Sequence, residues 1–216
     1  MLTRRLASLL ALVAVVGLAA SGCGSSSSAI AVGDQSISES DFEASLDFVY
    51  ENEGMRAFLF PDQDVTADQL RPEGTPRGAF SQEYAGVMGG IHFNLLLSQQ
   101  LVADNDLSIS AARRAITSEL DEQLEGGTKG IPADLRDIYL DGFAALNVVQ
   151  DQLEPDELNA QALDLVSGDG DVSVSSRYGS WDEDTFRIVP PAGPRPAPGT
   201  GGDAGTGAPG SELPAG

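Results

Sequence analysis

The chain has 216 residues, with 33 Asp and Glu against 12 Lys and Arg, a net charge of −21 and 41% hydrophobic residues. Neutralising nucleic-acid phosphates takes clustered Lys and Arg, so a chain with one Lys and this acidity is excluded as a direct nucleic-acid binder. A single Cys and a single His exclude an internal disulfide and a closed structural zinc site, and no cofactor is expected.

At the N-terminus, Arg4 and Arg5 precede an uncharged apolar run over residues 6–20, followed by small residues, which is the pattern of a signal peptide over residues 1–22. The run is shorter than the roughly 20 residues a spanning helix needs, and no second run follows, so a stably spanning protein is not expected. Ala20-Ser21-Gly22-Cys23 resembles a bacterial lipobox, although Leu is commonest where Ala20 stands. That resemblance implies that Cys23 becomes the first mature residue and carries diacylglycerol on its thiol; an ordinary secretory signal with an incidental Cys is the competing interpretation. The two or three acyl chains of a lipoprotein, such as palmitate, hold it firmly where one chain would not. The expected location is therefore the extracytoplasmic face of the cell membrane. Cleavage removes two Arg and no acid, leaving 10 basic against 33 acidic residues and a charge of −23. A surface of that sign is solvated and is repelled by anionic headgroups.

Residues 23–28 form a short Gly/Ser tether after the acylated Cys. Residues 29–37 then alternate as a small hairpin about Gly33-Asp34. Ser38, three before Asp41, opens a first helix whose Phe42, Leu46, Val49 and Tyr50 share one face. Residues 53–78, with Pro61, Pro72, Pro76 and scattered acids, read as a loop with at most one helical turn near Thr66. A second helix is predicted over residues 81–105, its stripe formed by Tyr84, Val87, Met88, Ile91, Leu95 and Val102, with Gly86, Gly89 and Gly90 weakening its first half. A third starts at Ser110, carries Ile116, Leu120 and Leu124, and stops at Gly126-Gly127. A fourth begins at Pro132, the favoured first position, and runs through Leu135, Ile138, Tyr139, Phe143, Leu146, Val149 and Leu153. A short fifth covers residues 156–166, and residues 171–178 alternate as a half-buried strand. The fold class predicted is mainly α: a helical domain over residues 29–189 with short strands at both ends that pair with each other. Residues 190–216 hold seven Pro and eight Gly and too little apolar bulk to offset chain entropy, so they are expected to be a disordered tail.

Enzymatic constellations are not apparent. His92, the one histidine, sits on an apolar stretch between Ile91 and Phe93 and is expected to be structural and hydrogen-bonded. Asp62, Asp64, Thr66, Asp68 and Glu73 mimic an EF-hand loop, but Ala67 stands where Gly makes the sharp turn and Pro72 intrudes, so no metal is expected. Asp169-Gly170-Asp171 is a turn before it is a ligand set. Glu119, Asp121 and Glu122 lie on the polar side of a helix and read as solvated, and no G-x-S-x-G motif is present.

The order of elements, with the segments VGDQSIS and SESDFEASL, resembles the N-terminal domain of the SurA and PrsA family of exported chaperones, which is related to the substrate-binding part of trigger factor. Residues 174–182, VSSRYGSWD, are similar to the V-D-P-R-Y-G-x-W ending of a lipoprotein branch of that family from high-G+C Gram-positive bacteria, with Ser175-Ser176 where Asp-Pro is frequent. Full-length members add a parvulin prolyl-isomerase module, for which this chain has neither the length nor the histidines. The resemblance thus implies the client-binding half without the isomerase: holdase-like binding of unfolded or extended exported polypeptides, rich in aromatics, in an apolar cleft. Candidate client-binding residues are Met55, Phe58, Leu59 and Phe60, with Phe80, Tyr84 and Met88 at the weakened start of the second helix; each taken singly also reads as ordinary core, and the stretch from Met55 to Phe60 is the one most expected to be exposed. The alternatives are an isomerase-related or accessory protein without its own active site, and a structural lipoprotein that binds one folded partner.

Overall fold

The structure, a computed structural model, describes residues 27–61, 65–71, 80–167, 172–182 and 187–189. Residues 1–22, expected to be a signal peptide, Cys23, residues 190–216, expected to be a disordered tail, the acids Asp62, Asp64 and Glu73, and Asp169-Gly170-Asp171 lie outside the described residues. The described chain is mainly helical, with short antiparallel strands. No helix among the described residues is long and apolar enough to cross a membrane.

A hairpin opens the domain. β1 (Ser28–Val32) and β2 (Gln35–Ser38) pair with Ile30 opposite Ile37, joined by a turn in which Gly33 takes φ +55°, a left-handed value that suits glycine. Ile30, Val32 and Ile37 are buried. β3 (Val172–Val174) adds antiparallel to the other edge of β1, with Ile30 opposite Val174, so the two ends of the domain close on one sheet of order β2-β1-β3, as the alternation at both ends predicts. The closing strand is shorter than the alternating stretch because the chain turns at residues 176–178. A second hairpin follows that periodicity does not reveal, β4 (Ser180–Asp182) with β5 (Arg187–Val189), each three residues long and too short to show a period.

α1 (Glu39–Glu51) starts where expected: the Ser38 Oγ accepts from the Asp41 amide at 3.1 Å, and Phe42, Leu46 and Val49 are wholly buried. The stretch expected to be irregular is in part helical. α2 (Glu53–Leu59) begins because the Asn52 side chain accepts from the Met55 amide at 2.8 Å, and α3 (Ala67–Leu70) is opened by a Thr66/Gln69 capping box. Each buries an apolar residue, Met55 at 0% and Leu70 at 5% exposure, and that burial outweighs the weak local propensity of short segments.

α4 (Gln82–Asp104), 23 residues capped by Ser81, is the central element and packs along α6 and against β1. Its buried set is wider than one stripe: Ala85, Gly89, His92, Phe93 and Leu96 join Tyr84, Met88 and Leu95, whereas Val87 is 45% exposed. A helix enclosed on more than one side buries more than one face, and a single-face pattern understates it. α5 (Ser110–Gln123) buries Ile116 and Leu120. α6 (Ala133–Gln152) begins one residue later than predicted, with Pro132 in the capping position, and buries Leu135, Tyr139 and Val149. α7 (Pro155–Ser167) covers the segment expected to be a short helix. On α6, a Cβ at Gly142 would lie 2.8 Å from Leu95 Cβ, so glycine is what lets α4 and α6 approach this closely.

One surface expectation changes. Asp121 is not simply solvated: its Oδ1 accepts from the amide and hydroxyl of Thr128 at 2.6 and 2.8 Å, which fixes the turn after α5 and lowers its carboxyl pKa below the usual range. The R-Y-G-x-W stretch is a latch across the domain. Arg177 reaches the carboxylates of Glu39 and Glu43 on α1, the Ser175 hydroxyl donates to Glu39 at 2.7 Å, and the Tyr178 hydroxyl donates to Glu43 at 3.2 Å. Trp181 stacks on Phe93 at 4.6 Å between ring centroids. Gly179 has φ +146°, and a Cβ there would lie 2.3 Å from the Val189 carbonyl oxygen.

Candidate functional site

A groove of about 600 Å³ lies between α2–α3 and the first half of α4. That volume falls within the roughly 300–1,000 Å³ of ligand clefts. Leu59, Phe60 and Val65 form one wall, Leu70 and Gln69 of α3 the end, and Tyr84, Val87 and Ile91 of α4 the other wall, with Ser81 and Glu83 at the mouth. Val87 and Ile91 stand one turn apart on α4 and present a continuous apolar edge.

Of the candidate client-binding residues, the structure brings Leu59, Phe60 and Tyr84 to this groove and sends the others elsewhere. Met55 and Met88 are fully buried in the core, against the exposure expected around Met55. Phe58 packs edge-on against Phe143 of α6, at 5.0 Å between centroids. Phe80 stands behind the groove in an aromatic ladder, 6.1 Å from Tyr50 and 5.4 Å from Tyr84. Even Phe60 is only 9% exposed, and the Tyr84 hydroxyl donates to the Leu46 carbonyl at 3.0 Å; burial, before any nearby charge, raises its pKa well above the ordinary tyrosine value. These two rings form floor and wall, and Val87 forms the accessible lip. Val65, Val87 and Ile91 were not singled out by the sequence as binding residues, because a valine on a helical stripe reads as core until the neighbours are known.

The groove's electrostatics are one-sided. Arg56 Nη1 donates to the carbonyls of Val49 and Tyr50 at 3.3 and 2.5 Å, which satisfies the C-terminal end of α1. Arg71 pairs with Asp47 at 2.7 Å while its guanidinium lies 4.3 Å from the Tyr50 ring centre and 4.5 Å from that of Phe80. Both cations are thus turned into the protein. Two donors remain at the polar edge. Gln69 Oε1 accepts from the Thr66 amide and Ser81 Oγ accepts from the Tyr84 amide, which leaves the Gln69 amide hydrogens and the Ser81 hydroxyl hydrogen for an occupant.

A second polar constellation lies in the core. Ser45 of α1 sits 2.7 Å from His92 Nε2 of α4 and 2.6 Å from the Tyr139 hydroxyl of α6, and all three residues are at 0% exposure. The arrangement that uses both hydroxyl hydrogens has Tyr139 donating to Ser45 and Ser45 donating to a neutral His92. His92 Nδ1 is left without a partner. Burial lowers the His92 pKa to about 4 and raises that of Tyr139. The Ser–His distance is that of a nucleophile and its base, but all three side chains are sealed from solvent and His92 packs edge-on against Phe42, 5.5 Å between ring centroids. It joins three helices at one point, and the expectation of a hydrogen-bonded structural histidine agrees with this placement.

No group of three or more His, Cys, Asp or Glu among the described residues is arranged to hold a metal; Thr66 and Asp68, members of the EF-hand-like pattern, stand at the start of α3, where Thr66 is taken up by helix capping. Comparison with family models, with curated proteins and with solved structures finds no match to this chain.

Proposed function

We propose that this chain is a lipid-anchored, extracytoplasmic binding protein that holds unfolded or extended exported polypeptides through a SurA N-terminal-like domain. The observation that carries the proposal is the apolar groove itself: an open cleft of about 600 Å³ with Val87 45% exposed on its lip, on a chain whose net charge of −21 opposes aggregation. Free donors at Gln69 and Ser81 suit the carbonyls of an extended backbone, and the apolar walls suit its aromatic side chains.

The purified protein should suppress light scattering by diluted denatured clients at near-stoichiometric ratios, and no suppression across several clients would end the proposal. The Val87→Gln/Leu59→Gln double variant should lose most of that suppression, at a stability cost by urea unfolding of about 0.5 kcal/mol or less for the exposed Val87 and about 1 kcal/mol for Leu59, which is partly buried against the core. A protease-coupled proline-peptide assay should show no rate above background; a rate above it would favour the isomerase-related alternative. For the anchor, Cys23→Ala should move the protein from the membrane fraction to the medium, and unchanged membrane retention would contradict lipidation at Cys23.

A further inference from the structure

We infer that the groove selects apolar segments flanked by Lys or Arg, with Glu83 at its mouth receiving the flanking cation. The inference rests on the reading of the groove as a polypeptide site and adds a charge preference to it. Glu83 lines the groove, is exposed, and makes no ion pair among the described residues. Two arginines of the neighbouring described segments are committed inward, Arg56 to the backbone carbonyls of α1 and Arg71 to Asp47 and two aromatic faces. Among the described residues this apolar cleft is edged by an unpaired carboxylate and by no free cation, an edge that repels an acidic flank as much as it attracts a basic one. Glu83 also stands in the first turn of α4, where the helix dipole favours an anion, so its charge is held at the mouth without a basic partner.

The test is fluorescence anisotropy on the full chain with three labelled peptides that share one aromatic and aliphatic core and carry Lys, Gln or Glu flanks. At low salt the Lys-flanked peptide should bind about tenfold more tightly than the Gln-flanked one, and half-molar salt, which shortens screening to roughly 4 Å, should remove most of the difference. Glu83→Gln should reduce the Lys preference to about two- to threefold. Glu122→Gln, which removes the same formal charge from an exposed position on α5, should leave it intact. An equal fall in both variants would assign the preference to the overall field and overturn the inference, as would Glu-flanked binding as tight as Lys-flanked. In either case, binding of the Gln-flanked peptide that is lost in the Val87→Gln/Leu59→Gln variant leaves the polypeptide reading standing. Binding of no peptide, or binding that weakens as protein concentration rises because a second copy fills the groove, overturns both.

Discussion

Acidification from pH 7 to pH 4 should cost this protein about 3 kcal/mol of stability through His92 alone. The folded-state pKa lies near 4 because the ring is wholly buried, against 6.5 for the exposed group. Between those values the unfolded chain binds the proton and the folded one does not, so protonation favours unfolding. The contribution is therefore fully present above about pH 6.5, declines as pH falls, and is lost below about pH 4. The groups around the ring offer no compensation, since Ser45, Tyr139 and Phe42 are uncharged and Nδ1 has no acceptor. Urea midpoints at pH 7, 5.5 and 4.5 should fall more steeply in the wild type than in His92→Gln, which keeps a polar partner for Ser45 and cannot ionise. Parallel pH profiles in the two proteins would show that His92 does not titrate in this way.

The second large effect is expected at Tyr178. Tyr178→Ala should destabilise by about 3–5 kcal/mol, the range for deleting a buried aromatic ring, because the side chain is 2% exposed and meets Phe42 edge-on at 4.6 Å between centroids. Tyr178→Phe retains the ring and gives up the hydroxyl bond to Glu43, so it should cost only about 1 kcal/mol. The latch joins residues more than 130 positions apart in sequence and holds β3 and the second hairpin onto α1. Equal losses for the two variants, measured by thermal or urea unfolding, would mean that the hydroxyl rather than the packing carries the contact.

The parts of the fold that were legible in the sequence share a cause: their signals are local. Ser38 announces α1 because a cap is a bond between residues three apart, and Gly33 announces the hairpin because its turn needs a left-handed residue. Pairing of the domain's two ends followed from two short alternating stretches left without other partners. The Pro-flanked segment after α1 misled for the converse reason. Its composition favours a loop, and the helices there exist because Met55 and Leu70 find a core to enter. The second hairpin was missed because strands of three residues carry no readable period.

The site was less legible than the fold. Large apolar side chains near helix breakers point to the segments that border the groove but not to which side chains face outward. Met88 and Val87 are neighbours on α4, and one is fully buried while the other is 45% exposed. Nothing in their local sequence distinguishes them, since the difference depends on where α2, α3 and α6 lie around that helix. The same limit hid the Ser45–His92–Tyr139 cluster, whose members are 47 and 94 positions from Ser45.

By itself, then, the sequence determined the acidic charge, the apolar run ahead of Cys23, the boundaries of the long helices and the sheet that closes the domain. These follow from composition and from interactions between near neighbours. Only the tertiary structure decided which apolar residues form the core and which line the groove, that Arg56 and Arg71 face inward while Glu83 lines the groove with no ion pair among the described residues, and that the lone histidine is sealed against a serine and a tyrosine. Burial and charge pairing are properties of packed elements, and a side chain acquires them only when helices distant in sequence come to lie against it.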